Sequence, residues 1–324
     1  MGKGLRVAVA GASGIGKHHA KWHHDAGAEV VGFLGSTLET CARTESTLSE
    51  LFSFRGRGYT DLPSLLTETN PDIVDVCLPN ELHHDVAMSA ISAGCHVLCE
   101  KPLVWYPESP PALQLGRARD MVQRADERGV LLGICTQYVA GLDQYGRLYE
   151  AAHGPVEQIG SLYVEMETLS RGRQRTPEQI WVDMGPHPLS LLLAWLPDSE
   201  LDDSSLRTCF AGSQVRATFR MRSSLSECEC EIVVRDKSDG VPVRQFGING
   251  ALAQYEGKPD ETGIYRSVMR MGESESVGPD LLSILIRDFH AACLSGTMPM
   301  VTGATGIRNI DLMIRIMQNA GVVP

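Results

Sequence analysis

Short apolar runs rich in valine, isoleucine and alanine alternate with helically spaced apolar positions through the first 137 residues. Residues 5–10, 29–34, 73–78, 96–99 and 130–137 are runs of this kind, bounded by glycine, proline or polar turns, as strands buried on both faces are. Between them, 17–26, 81–93 and 112–128 place apolar residues at helical spacing, as at Val86, Ala87, Ala90 and Ile91 with Gly94 as a C-cap. Residues 59–66 read as a strand end followed by a capped helix, and the proline-dense stretch 105–111 as a loop. Repeated strand, helix, strand predicts an α/β fold whose N-terminal domain, residues 1–137, is a doubly wound parallel sheet of Rossmann type.

The pattern changes beyond that point. A helix over 145–153 and the alternating strand 161–167 open a second domain, 138–324. Residues 214–221, 227–234 and 241–246 alternate apolar and polar side chains with period 2, as a half-covered antiparallel sheet does. Amphipathic helices follow over 280–294 and 306–319, the first with a stripe of Leu282, Ile286, Phe289 and Cys293. This half reads as an α+β domain with a large, mostly antiparallel open sheet.

Composition narrows the partners. The formal charge of −11 argues against nucleic acid or an anionic membrane, which select for clustered Lys and Arg, and leaves a small-molecule substrate. Nine cysteines scattered through apolar segments fit a reducing compartment, and the expected localisation is cytoplasmic. Cys228-x-Cys230 lies on one face of a strand without a partner pair at ligand spacing, so packing is expected there and no metal.

The candidate chemistry begins after the first strand. Gly11-Ala-Ser13-Gly14-Ile15-Gly16 supplies a tight turn whose backbone N–H groups approach a pyrophosphate at a helix N-terminus. About 20 residues further on, an NAD site carries an acid for the adenosine ribose; here the second strand ends in Gly35-Ser36-Thr37. The two hydroxyls and Arg43 favour the 2′-phosphate of NADP, while NAD stays open if Glu39 reaches back to the ribose; Ser36 alone also reads as a helix N-cap.

The run 95–103, Cys-His-Val-Leu-Cys-Glu-Lys-Pro-Leu, delivers Glu100 and Lys101 to the carboxyl edge of the sheet, where open α/β sheets bind ligands. In the second domain, Asp183 and His187 are four residues apart and share a face if the chain there is helical, with Pro186 and Pro188 suited to a first turn. Arg171, Arg173 and Arg175 are either a clamp for an anionic substrate group or a solvated loop.

These motifs together, with His19, the run 71–80 and His83, resemble the Gfo/Idh/MocA family of NAD(P)-dependent oxidoreductases, strongly over 5–103 and more weakly beyond. The resemblance implies a Rossmann domain joined to a C-terminal α/β domain whose open sheet face forms a dimer interface, hence a homo-dimer or homo-tetramer. It implies a cis Lys101–Pro102 bond, with Lys101 touching both the nicotinamide ribose and the substrate. Glu100 would line the cofactor site, and Leu78, Pro79, Asn80 and His83 would border the dinucleotide. Asp183 would contact substrate and His187 exchange a proton with the reacting hydroxyl. Glu178 and Gln179 stand where glycines are common in the family, and Ser190 where a second aspartate often is, so the pocket departs from the usual pattern.

The resulting expectation is hydride transfer between NADP and a secondary alcohol or ketone of a sugar, cyclitol or related polyol. The other classes kept open are glycoside cleavage through transient oxidation by tightly held NAD, and a nicotinamide-binding sensor without turnover.

Overall fold

The computed structural model describes residues 4–224 and 226–321. The chain divides into two units, one made of residues up to Cys135 with Leu282–Ile307, the other of Thr136–Leu281 with the residues from Arg308 on.

The first unit runs β1 (Arg6–Ala10), α1 (Gly16–Asp25), β2 (Glu29–Leu34), α2 (Leu38–Leu51), β3 (Arg57–Tyr59), α3 (Leu62–Thr69), β4 (Ile73–Val76), α4 (His83–Ser92), β5 (His96–Glu100), α5 (Pro111–Arg128) and β6 (Leu132–Cys135). All pairings in its sheet are parallel, in the order β3-β2-β1-β4-β5-β6. Val7 to Ala10 and the whole of β4 are buried, which is why their sequences read as continuous apolar runs. The direction of winding reverses between β1 and β4, opening a crevice at the carboxyl ends of the strands. Local signals set the helix ends: Asp61 Oδ1 accepts the Ser64 N–H at the start of α3, and Gly129 closes α5 at φ 65°.

The second unit begins with α6 (Leu142–His153), β7 (Ser161–Leu169), α7 (Pro177–Met184) and α8 (Pro186–Trp195). Seven strands follow: β8 (Glu200–Ala211), β9 (Gln214–Arg222), β10 (Glu227–Lys237), β11 (Arg244–Ile248), β12 (Ala251–Pro259), β13 (Tyr265–Met271) and β14 (Ser274–Pro279). The sheet order is β14-β13-β12-β11-β7-β10-β9-β8, antiparallel except for β7 beside β10. In β9, Val215, Ala217, Phe219 and Met221 are buried while Arg216 and Arg222 are exposed, so one face is covered and the other is not. The strand expected at 241–246 starts later, at Arg244, and the one expected at 130–137 is confined to Leu132–Cys135.

Two helices complete the chain, α9 (Leu281–Ser295) and α10 (Gly303–Asn319). Residues 282–307, most of α9 and the start of α10 among them, group with the first unit. The cause lies at β6, the terminal strand of the parallel sheet. A Cβ on Gly133 would stand 2.8 Å from the ring of Phe289 in α9, so only glycine lets that ring approach. Beyond α9, Val301 O accepts the Ile134 N–H at 3.1 Å and Thr302 bridges Gly133 in antiparallel fashion, covering an otherwise open strand edge. An amphipathic stripe predicts burial but carries no address for the surface that buries it. Among the described residues no helix is long and apolar enough to cross a membrane.

Candidate active site

The carboxyl ends of β1, β2 and β4 frame a pocket of about 850 Å³ within the first unit. Gly11, Ser13 and Gly14 line one part of it, with Leu78 and Pro79 from the end of β4 beside them. Gly11 has φ 92°, and a Cβ there would lie 2.6 Å from the carbonyl oxygen of Cys77, so the turn tolerates no side chain. A Cβ on Gly14 would meet nothing within 4 Å, which leaves open space where a pyrophosphate would sit. Gly16 begins α1, and Ile15 is half-exposed ahead of it; neither lines the pocket.

Ser36, Thr40, Arg43, Thr44 and Thr47 line the pocket at the end of β2. Thr37, rather than Ser36, caps α2: its hydroxyl accepts the Thr40 N–H at 3.1 Å, while Thr40 Oγ1 accepts the Thr37 N–H at 2.9 Å. Ser36 is thereby left to the pocket, with its hydroxyl 3.2 Å from Thr40 Oγ1. Glu39 is 83% exposed, lies 4.0 Å from Arg43, and is not among the lining residues. No carboxylate lines this pocket among the described residues. Glycines at one part, hydroxyls and a guanidinium at the other, and this volume fit a dinucleotide. Thr40, Thr44 and Thr47 escaped the sequence reading, although their spacing of four and three marks one face of α2.

The end of β4 is tied to the end of β5 by His83. Its Nδ1 lies 2.9 Å from Pro102 O and its Nε2 2.8 Å from Leu78 O. Burial holds this imidazole below its ordinary pKa, and the neutral ring, with one N–H, donates to one of the two carbonyls at a time. Asn80 stands in a 3₁₀ turn just before α4. Asn80, His83, Thr37, Glu100 and Lys101 are not among the residues lining the pocket. Glu100 closes β5, Lys101 follows it, and the Lys101–Pro102 bond is cis. Glu100 Oε2 accepts the Lys101 N–H at 3.1 Å.

In the second unit Asp183 lies in the last turn of α7 and His187 in the first turn of α8. Gly185 between them keeps right-handed helical angles, φ −55° and ψ −35°, so the backbone runs on through the junction. Asn309 of α10 secures the start of α8, donating through Nδ2 to Pro186 O at 2.8 Å and to Ser190 Oγ at 2.9 Å. Ser190, the departure from the family pattern, therefore has a packing partner in this chain. Gln179 has one as well, since it forms a capping box with Thr176 at the start of α7. The ring of Tyr138 meets His187 edge-on at 5.0 Å between centroids. Tyr138 also meets Tyr255 at 5.4 Å, and burial pushes the Tyr255 hydroxyl well above its usual pKa.

The three arginines separate in the structure. Arg171 and Arg173 are exposed, whereas Arg175 is spent on protein carboxylates. Its Nε donates to Asp236 Oδ2 at 2.8 Å, its Nη2 to Asp236 Oδ1, and its Nη1 to Asp183 Oδ2 at 2.6 Å. A substrate clamp of all three is thus not what the chain builds. Arg175 instead positions the acid that sequence reasoning had singled out, a role that nothing in the arginine run itself discloses.

The oxidoreductase-family description with an NAD-binding Rossmann fold, Gfo/Idh/MocA, matches residues 5–135. D-glucoside 3-dehydrogenase of Escherichia coli (strain K12) is 30% identical over 183 residues, 55% of this chain and 46% of that one. 1,5-anhydro-D-fructose reductase of Ensifer adhaerens is 38% identical over 109 residues, 33% of this chain and 28% of that one. The chain thus matches less than half the length of either relative. Among solved structures, UDP-N-acetylglucosamine 3-dehydrogenase GnnA from Acidithiobacillus ferrooxidans superposes with a TM-score of 0.74 at 20% identity, covering 98% of each chain. Over residues 5–135, its NAD-binding Rossmann domain, the chain matches the Gfo/Idh/MocA family of oxidoreductases.

Proposed function

We propose that the protein is an NADP-preferring oxidoreductase that moves a hydride between nicotinamide and a secondary alcohol or ketone of a sugar, cyclitol or related polyol. The observation that carries this reading is the pocket at the ends of β1, β2 and β4: a glycine turn at one part, and Ser36, Thr40, Thr44, Thr47 and Arg43 at the other with, among the described residues, no carboxylate to repel a phosphate. The sugar and polyol class rests on what the two relatives are named for acting on.

When bound, the nicotinamide supplies or accepts the hydride. The chain's own residues bind and orient. Lys101, at the end of β5, offers an ammonium to the reacting oxygen, stabilising its developing negative charge. His187 gives that oxygen a proton in reduction and takes one in oxidation. Asp183, fixed by Arg175, holds a substrate hydroxyl or the His187 ring. The reading includes a homo-oligomer formed through the uncovered face of the eight-stranded sheet, which light scattering checks.

The test is a panel of sugars, cyclitols and nucleotide-linked keto sugars, followed by the absorbance of NADPH. Net, substrate-dependent gain or loss of NADPH is the expected result. Binding of NADPH with no turnover across the panel would leave a sensor, and glycoside cleavage without net NADPH change would leave the recycling chemistry of glycoside-cleaving relatives.

A further inference from the structure

The inner side of the parallel sheet holds a chain of titratable side chains that the proposed reaction does not use. His19, on α1, is fully buried, with Nδ1 2.8 Å from Asp75 Oδ2 on β4 and Nε2 3.2 Å from Glu100 Oε1 at the end of β5. Asp75 Oδ2 also faces His23 Nε2 at 2.7 Å, and His23 Nδ1 lies 2.7 Å from His290 Nε2 on α9. Thiols lie beside it: Cys77, 3.4 Å from Asp75 Oδ1, Cys135 on β6, 3.9 Å from His19 Nε2, and the buried Cys99. The other oxygen of Glu100 accepts the N–H of Lys101.

Proton counting decides the state of this chain. An ionised carboxylate only accepts, so a ring with a carboxylate oxygen at each nitrogen needs an N–H at both, and His19 is an imidazolium. His23 donates Nε2–H to the same carboxylate oxygen, and one proton is shared between His23 Nδ1 and His290 Nε2. The chain closes without an unmatched donor or acceptor at any of these contacts.

We propose that His19 is a positioning residue, a buried imidazolium that Asp75 anchors and that fixes the carboxylate of Glu100, and through it the backbone of Lys101. This deepens the oxidoreductase reading and rests on it for the role of Lys101. The charge balance agrees with the geometry. Burial works against charge on His19, but Asp75, with Cys77 and Cys135 beside it, lifts the imidazole well above its ordinary pKa. Burial also opposes charge on Asp75, and His19 and His23 nevertheless hold it well below the usual carboxylate range. Burial, with His23 beside it, pushes His290 down to about 3. Burial pushes Cys135 up to about 12 and Cys77 well above a normal thiol, so both sulfurs stay protonated. Without His19, two carboxylates would face each other inside the sheet, and the one at its edge would lose its orientation.

The first measurement is ¹⁵N NMR of the whole protein with ring-labelled histidine at pH 8, His19 being assigned by its loss in His19→Gln. Two protonated nitrogens are expected; one pyridine-type nitrogen, or an equivalent of zinc that disappears in His19→Gln, overturns the proposal. This readout needs no turnover, so it stands apart from failure of the oxidoreductase reading.

The second measurement is kinetic. Glutamine cannot donate to both carboxylates, and kcat of His19→Gln should fall about tenfold or more, as displacement of a catalytic group does, while the Kd for NADPH changes little. His19→Gln combined with Glu100→Gln should lose no more than the worse single variant, because both act through one path. A folded His19→Gln protein with normal kcat, or fully additive losses, overturns the proposal. If His19→Gln does not fold, Glu100→Gln carries the test: its kcat should fall about tenfold while the Kd for NADPH changes little, and a folded Glu100→Gln protein with normal kcat overturns the proposal.

Discussion

Arg175 Nη1 meets Asp183 Oδ2 at 2.6 Å, while the other edge of the same guanidinium is held by Asp236. Asp236 is 4% exposed and Arg175 13%, whereas Asp183 is 43% exposed and keeps an accessible side. One arginine thus couples a buried structural acid to a candidate catalytic one. Arg175→Lys preserves the charge but not the fork, and kcat/KM should fall about tenfold with a modest loss of stability. Arg175→Met leaves Asp236 buried and unpaired, costing about 3–5 kcal/mol in urea denaturation. Unchanged kcat/KM in Arg175→Lys would detach Asp183 from catalysis.

Cofactor choice turns on Ser36 and Arg43. The protein should bind NADPH several-fold more tightly than NADH in fluorescence titration. Arg43→Ala should weaken NADPH about tenfold, or about 1.4 kcal/mol, and leave NADH unchanged, since only the 2′-phosphate distinguishes the two. Ser36→Asp should shift preference towards NADH by like-charge repulsion. Equal affinities in the unaltered protein would remove the phosphate from this reading.

The roles of Lys101 and His187 separate in kinetics. Lys101→Ala and His187→Ala should each lower kcat on the order of 10²-fold, as loss of a positioned donor or acid does. NADPH binding should survive His187→Ala, whose residue lies outside the first unit, and weaken in Lys101→Ala. An active His187→Ala enzyme with an unaltered pH profile would transfer the proton to Lys101 or Tyr138.

Legibility in the sequence followed burial. Residues 29–34 emerged with the observed bounds because β2 is apolar almost throughout and ends at glycine. Gly11, Ser13, Gly14, Ser36 and Arg43, legible from their offsets after a strand, and Leu78 and Pro79, legible only through the family resemblance, line one pocket. β8 carries Asp202, Asp203, Ser204 and Ser205 in mid-strand, with a register shift in its pairing to β9, and β14 reads Ser-Glu-Ser-Val-Gly-Pro; neither has a pattern to follow. Asp75 was in plain view as the one acid in Ile-Val-Asp-Val, but its partners lie 52 and 56 residues away. Contacts of that range are set by packing, which no local pattern records.

Stability should fall from neutral pH downward. His83, His96 and His290 all have folded pKa values lowered by burial, His290 to about 3 from an ordinary 6.5. Below about pH 6.5 the unfolded chain takes up protons that the folded His290 refuses until about pH 3, so His290 alone costs up to about 1.4 kcal/mol per pH unit, with His83 and His96 acting in the same direction. His19 acts in the opposite sense: its raised pKa adds stability present below about pH 6.5 and lost as pH rises through the folded value. Asp75, lowered, keeps its contribution until pH falls below the ordinary carboxylate range. Urea midpoints measured across this range should show the acid slope, and His290→Gln should flatten it.

The return of residues 282–307 to the parallel sheet has a consequence for synthesis. A nascent chain leaving the ribosome exposes β1 through β6 while the helix that seats Phe289 against Gly133 has not been translated. Until Val301 and Thr302 arrive, the outer edge of β6 offers its backbone groups to any strand nearby. The parallel sheet is therefore made well before the residues that complete its edge. A fragment released at residue 137 would carry every glycine of the phosphate turn and still lack the cover for its own sheet.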